Sequence, residues 1–108
     1  MADLLDFATF DGMKELLEDE FPSFLETFFT ENQDALLRIE QGLASTDAEM
    51  VKGAAHNLKS SSGYLGATQL AELAQHIEEQ SSQGHLTGLE TTYQQAQGVF
   101  DAIKAQIS

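Results

Sequence analysis

Apolar residues recur at intervals of three and four along most of this chain, a spacing that suits helices and suits strands badly. The longest run is Phe21, Phe24, Leu25, Phe28, Phe29, Leu36, Ile39 and Leu43. It predicts a helix of about six turns, with Pro22 in its first turn, where a missing N–H costs nothing. Leu89, Tyr93, Ala96, Phe100, Ile103 and Ile107 keep the same spacing to the carboxyl terminus and give the clearest helix of all. Strand-like alternation is absent. Four of the seven phenylalanines fall in the first half of the long helix, and an aromatic cluster of this kind reads as core rather than as a cofactor site. Rings left exposed at one end of the helix would widen a partner surface.

The punctuation between these runs sets the other elements. A short first helix is expected from about Phe7 to Asp19, with Asp6 as N-cap and Phe10, Met13, Leu16 and Leu17 as apolar contacts. Gly12 weakens it, so it needs to pack on the others as a lid or side brace. Ala44-Ser45-Thr46-Asp47 breaks the pattern, and Thr46 with Glu49 matches a capping box for a third helix carrying Met50 through Leu65. Gly66 is the expected stop. Leu70, Leu73, Ala74 and Ile77 mark a fourth helix ending before Ser81-Ser82-Gln83-Gly84, and Thr87 with Glu90 suggests a second capping box. Four long helices with short connections favour antiparallel neighbours. The expected fold is all-α, an up-down-up-down four-helix bundle with an additional short amino-terminal helix, in one domain over residues 1–108.

Charge and composition narrow the function classes. Five Lys and Arg stand against 18 Asp and Glu, a net charge of −13, which repels nucleic acid and anionic membrane surfaces. With no cysteine there is no disulfide framework, thiolate metal site or cysteine nucleophile. The start, Met1-Ala2-Asp3-Leu4-Leu5-Asp6, lacks the basic region of a leader, and nowhere do about 18 apolar residues follow one another. A soluble, cytoplasmic, monomeric protein is expected. Against this acidic background Lys52 and Lys59 stand out.

Both lysines flank His56. At about 100° per residue, Lys52, Gly53, Lys59, Ser60 and Gly63 all fall within roughly 60° of His56 on the third helix. The neighbours of the imidazole are therefore cationic or too small to cover it. Val51, Ala54, Leu58 and Leu65 lie within about 40° of the opposite direction and form an apolar stripe for the core. A neutral imidazole nitrogen, with no carboxylate expected beside it, is a competent nucleophile towards a phosphoryl group near pH 7. Lys59, one turn away, can offset the charge that the group brings, and Lys52 can add longer-range attraction to a partner. No Gly-x-x-x-x-Gly-Lys-Ser/Thr loop and no magnesium cluster is visible, so the chain is not expected to bind a nucleotide itself. A partner carrying the metal and an acidic pocket could supply most of the catalysis. His76 and His85 read as ordinary surface histidines.

The stretch Ala55-His56-Asn57-Leu58-Lys59-Ser60-Ser61-Ser62, followed by Leu65-Gly66-Ala67 and Leu70, resembles the histidine-containing phosphotransfer (HPt) domain. The core of that family reads Ala-His-x-Leu-Lys-Gly-Ser-(Ser/Ala), followed by an apolar-Gly-Ala step. Ile77-Glu78 is similar to an apolar-Glu pair common in the family's fourth helix. The resemblance implies that His56 accepts a phosphoryl group from a receiver-domain phospho-aspartate and passes it to another receiver's aspartate. It also implies that Lys59 supports the group and that position 60 leaves room for the docked receiver. Ser60 stands where glycine is usual and adds a hydroxymethyl group beside the ring. The implied partners are the receiver domains of hybrid sensor kinases and response regulators. No cofactor or metal of its own is expected; Mg2+ would sit on the receiver.

Other readings have different requirements. A di-metal carboxylate bundle needs Glu-x-x-His pairs, but the residues three before the histidines are Gly53, Leu73 and Ser82. A helical-bundle adaptor without chemistry would bind partners through an apolar helix face. A third possibility keeps the histidine chemistry but has a kinase catalytic domain phosphorylate the residue directly from ATP. On either phosphotransfer reading the protein is not a kinase or hydrolase by itself.

Overall fold

The computed structural model describes residues 4–107. Met1, Ala2 and Asp3, the first half of the segment read above for a leader, lie outside the described residues, as does Ser108. The helices run in the order α1 (Phe7–Leu17), a 3-10 turn (Glu18–Glu20), α2 (Phe21–Ala44), α3 (Ala48–Leu65), α4 (Thr68–Ser82) and α5 (Leu89–Ile107). Helix α2 packs on α3, α3 on α4, α4 on α5 and α5 back on α2, which closes the four-helix bundle, while α1 braces α2 and α3 from the side. With 24 residues rising about 1.5 Å each, α2 spans most of the 41 Å long axis.

The expected aromatic core is present. Phe21 and Phe28 are buried, and Phe24 and Phe29 pack against the core at its edge. Phe10 meets Phe21 edge-on at 5.3 Å and so joins α1 to α2, and Phe100 lies 6.4 Å from Phe28, joining α2 to α5. Asp6 caps α1 by accepting from the Ala8 N–H. That helix ends at Leu17 rather than near Asp19, because Glu18 turns to φ 48° and a 3-10 turn leads directly into α2.

Two capping assignments change. The cap of α3 is Asp47, whose carboxylate accepts from the Met50 N–H at 3.1 Å. Thr46 has φ 56°, whereas an N-cap needs extended backbone, which Asp47 has at φ −104°. Helix α5 begins at Leu89, directly after Gly88 at φ 86°, so Thr87 stands one residue too early to cap it. The fourth helix also runs further than expected, through Ser81 and Ser82. Ser81 is buried, and its hydroxyl donates back to the Ile77 carbonyl at 2.7 Å, which keeps the helix satisfied there.

Gly66 ends α3 as expected, in left-handed conformation at φ 85°. Its carbonyl accepts from the Asp6 N–H at 2.7 Å, and a Cβ at this position would lie 2.8 Å from the Asp6 carbonyl oxygen. Glycine therefore makes the corner between α3 and α4 and admits the start of α1 against it.

Candidate functional site

Helix α3 is held from behind. Val51, Ala55, Leu58 and Leu65 are fully buried and Ala54 nearly so. Ala55 lies outside the stripe that helical spacing predicted and is buried all the same. Ala67 and Ala74, at the start of α4 and within it, are equally buried. Below the site, the Ser61 hydroxyl lies 2.6 Å from Oδ1 of the buried Asn32 and 3.0 Å from the Asn57 carbonyl, a polar link between α3 and α2.

On the front, the His56 side chain is 57% exposed. Lys52, Gly53, Ser60 and Gly63 are all exposed around it, as their angular positions predicted. A Cβ added at Gly53 or Gly63 would meet nothing within 4 Å, so both positions are open space. His56 lines a shallow, open depression together with Lys52, Gly53, Asn57, Glu78 and Arg38. Ser60 faces the adjoining groove between α2 and α3, and Gly63 lies outside both of these surfaces. His76 and His85 are exposed and take no part in the arrangement.

The expectation that no carboxylate adjoins His56 is corrected by the structure. Glu78 reaches across from α4, its Oε2 lying 2.8 Å from His56 Nδ1 and its Oε1 2.5 Å from Lys59 Nζ. A carboxylate only accepts, so Nδ1 carries the proton and the lone pair of the neutral ring sits on Nε2. Among the described residues no other side chain hydrogen-bonds the ring. Glu78 is 18% exposed, and burial pulls its carboxyl pKa up. The hydrogen bonds from Lys59 and His56, with the charge of Lys59 and that of the ring when it is protonated, outweigh that pull and hold it below its ordinary value, so it is ionised at neutral pH. Lys59 is 34% exposed and engaged with Glu78, and its ammonium group retains two further donors.

Spacing alone could not find Glu78 as a site residue. It lies 22 positions from His56, on another helix, and only the apolar-Glu pair in the resemblance singled it out. Arg38, which α2 adds to the same depression, carried no sequence signal at all.

Among the described residues no group of histidines and carboxylates is placed to hold a metal ion, and no helix is long and apolar enough to cross a membrane. The Hpt domain family matches residues 23–106. No curated protein matches the chain. Among solved structures, the chain is similar to histidine-containing phosphotransfer protein B (HptB) from Pseudomonas aeruginosa PAO1. The TM-score is 0.94 with 27% sequence identity, over 98% of this chain and 92% of that one. An exposed helical histidine, backed by a packed bundle and adjoined by a lysine and a carboxylate, thus lies within the matched segment, and the chain belongs to the Hpt domain family and has a histidine phosphotransfer role in a phosphorelay.

Proposed function

We propose that His56 accepts a phosphoryl group from the phospho-aspartate of one receiver domain and passes it to the aspartate of another. The observation that carries this reading is the division of the ring: Nδ1 is held at 2.8 Å by Glu78 while the side chain as a whole is 57% exposed. Nε2 attacks phosphorus in the acyl phosphate. As the N–P bond forms, the P–O bond to the aspartate breaks, and its electron pair leaves with the aspartate carboxylate. No proton has to leave Nε2, which carries none. The positive charge that the ring acquires is offset by Glu78 at Nδ1. Onward transfer uses the same atoms in reverse.

Lys59 supports the phosphoryl oxygens through the donors that Glu78 leaves unused. Lys52, Gly53, Ser60 and Gly63 form the surface on which the receiver docks: Lys52 by attraction, the others by clearance. The receiver supplies Mg2+ and the acidic pocket. The protein acts as a monomer, a state supported by the self-repulsion of a net charge of −13, and it works in the cytoplasm alongside its partners.

Incubation with phosphorylated receiver domains from the same genome tests this reading. The protein takes up label that is lost in acid and kept in base, and His56→Gln takes up none. A His56→Gln protein that accepts label as the wild type does would overturn the assignment.

A further inference from the structure

With 5 basic residues against 18 acidic ones, each cation near the site carries weight. The depression at His56 is bordered by Arg38 and Lys52 and also by Asp47, Glu49 and Glu78. Two of these acids are committed: Asp47 caps α3, and Glu78 holds His56 and Lys59. Lys59 is committed in turn to Glu78. The charges left to face a partner from this border are Lys52, Glu49 and Arg38. Arg38 differs from the other two because it projects from α2, and it also lines the groove between α2 and α3 alongside Asn57, Ser60 and Tyr64. It stands where the two surfaces join. Its side chain is 54% exposed and lies 2.6 Å from Asp34, itself 52% exposed, on the same helix. An ion pair between two exposed side chains is a weak restraint and exchanges readily.

A receiver that carries its phosphoryl group on an aspartate and binds Mg2+ through oxygen ligands must gather carboxylates at that mouth. A guanidinium matches a carboxylate with two parallel N–H bonds and needs no change in protonation to do so. We propose that Arg38 is a docking residue that exchanges Asp34 for a carboxylate of the receiver's acidic rim, and that it governs association rather than movement of the phosphoryl group once docked. The inference rests on the transfer role proposed above and adds to it a residue on a second helix.

The test charges the whole protein at His56 with potassium phosphoramidate, a small donor that needs no docking, and follows transfer to a receiver domain that the wild type serves. Arg38→Glu lowers the second-order transfer constant about tenfold at low ionic strength and Arg38→Gln about threefold, and both losses shrink as salt is raised. The losses appear in the second-order constant rather than in the rate at saturating receiver or in the rate of charging. Lys14→Glu makes the same change of charge on α1, away from the depression, and measures the effect of net charge alone. Equal losses in Arg38→Glu and Lys14→Glu overturn the proposal. A loss confined to charging or to the saturated rate also overturns it and places Arg38 on the phosphoryl group itself. If the wild type cannot be charged at His56 or serves no receiver, the transfer reading falls and this inference with it. Unimpaired transfer by Arg38→Glu beside an active wild type removes this inference alone.

Discussion

On the side of α3 that faces the other helices, Val51, Ala55, Leu58 and Leu65 are sealed from solvent, whereas on the other side Lys52, Gly53, His56 and Ser60 are open to it. Leu58 and Lys59 are consecutive residues and sit on opposite sides of this division. Behind the helix every side chain has neighbours, and a change of volume there is felt by the fold. In front there is open space at Gly53 and Gly63, and a change of volume there is felt by whatever docks. The two sides are connected through α4. Helix α4 packs on α3 with its Ala74 and Ile77 fully buried, and from α4 Glu78 crosses to His56. The core thereby fixes the orientation of the exposed ring.

Changes on either side of this helix test the division. Leu58→Ala removes a fully buried side chain and lowers stability by about 2–5 kcal/mol in denaturant unfolding, while the molecules that remain folded still transfer. Equal loss of transfer per folded molecule would mean that the back of the helix does more than hold the front. On the front, Glu78→Gln keeps a hydrogen-bond partner for Nδ1 but removes the charge that offsets the ring, and the single-turnover transfer rate falls about tenfold or more. Lys59→Ala produces a similar loss, with little change in melting temperature.

Glycine substitutions separate access from packing. Gly53→Ala raises stability by about 0.5–1 kcal/mol, because a helix-interior glycine costs roughly that much and the new methyl group meets nothing. Gly53→Trp leaves unfolding nearly unchanged yet slows transfer to a receiver and spares charging by phosphoramidate. The smallest effect is on pH dependence. Because Glu78 has its carboxyl held below the ordinary range, the unfolded chain takes up its proton first as pH falls. The stabilisation is complete above the ordinary glutamate pKa and is lost as pH drops through the folded value. Melting temperature followed from neutral to acid pH shows this step in the wild type, and Glu78→Gln removes it.

Helix count, order and the exposed front of α3 were legible in the sequence because they follow from a three-four period and from residue size, both of which are local. Asp6 and Gly66 were legible for the same reason: a cap and a left-handed stop act within a few residues. At Thr46 the local pattern misleads, because Ser/Thr-x-x-Glu is satisfied on paper one residue ahead of Asp47, and only the backbone conformation decides between them. Glu78 and Arg38 were not legible as neighbours of His56. Each arrives from another helix, and their approach depends on how closely and at what rotation the helices pack, which one-dimensional spacing does not encode. Ala55 illustrates the same limit, since the apolar period of its own helix does not mark it and it is fully buried all the same.

If Glu78 holds the Nδ1 proton, Nε2 of His56 is the atom phosphorylated. Nitrogen-15 and phosphorus-31 NMR of the uniformly labelled, phosphorylated protein resolves which ring nitrogen is bonded to phosphorus. A single phosphoryl group is expected on Nε2 of His56, with Nδ1 still protonated. A phosphoryl group on Nδ1, or on His76 or His85, would contradict it.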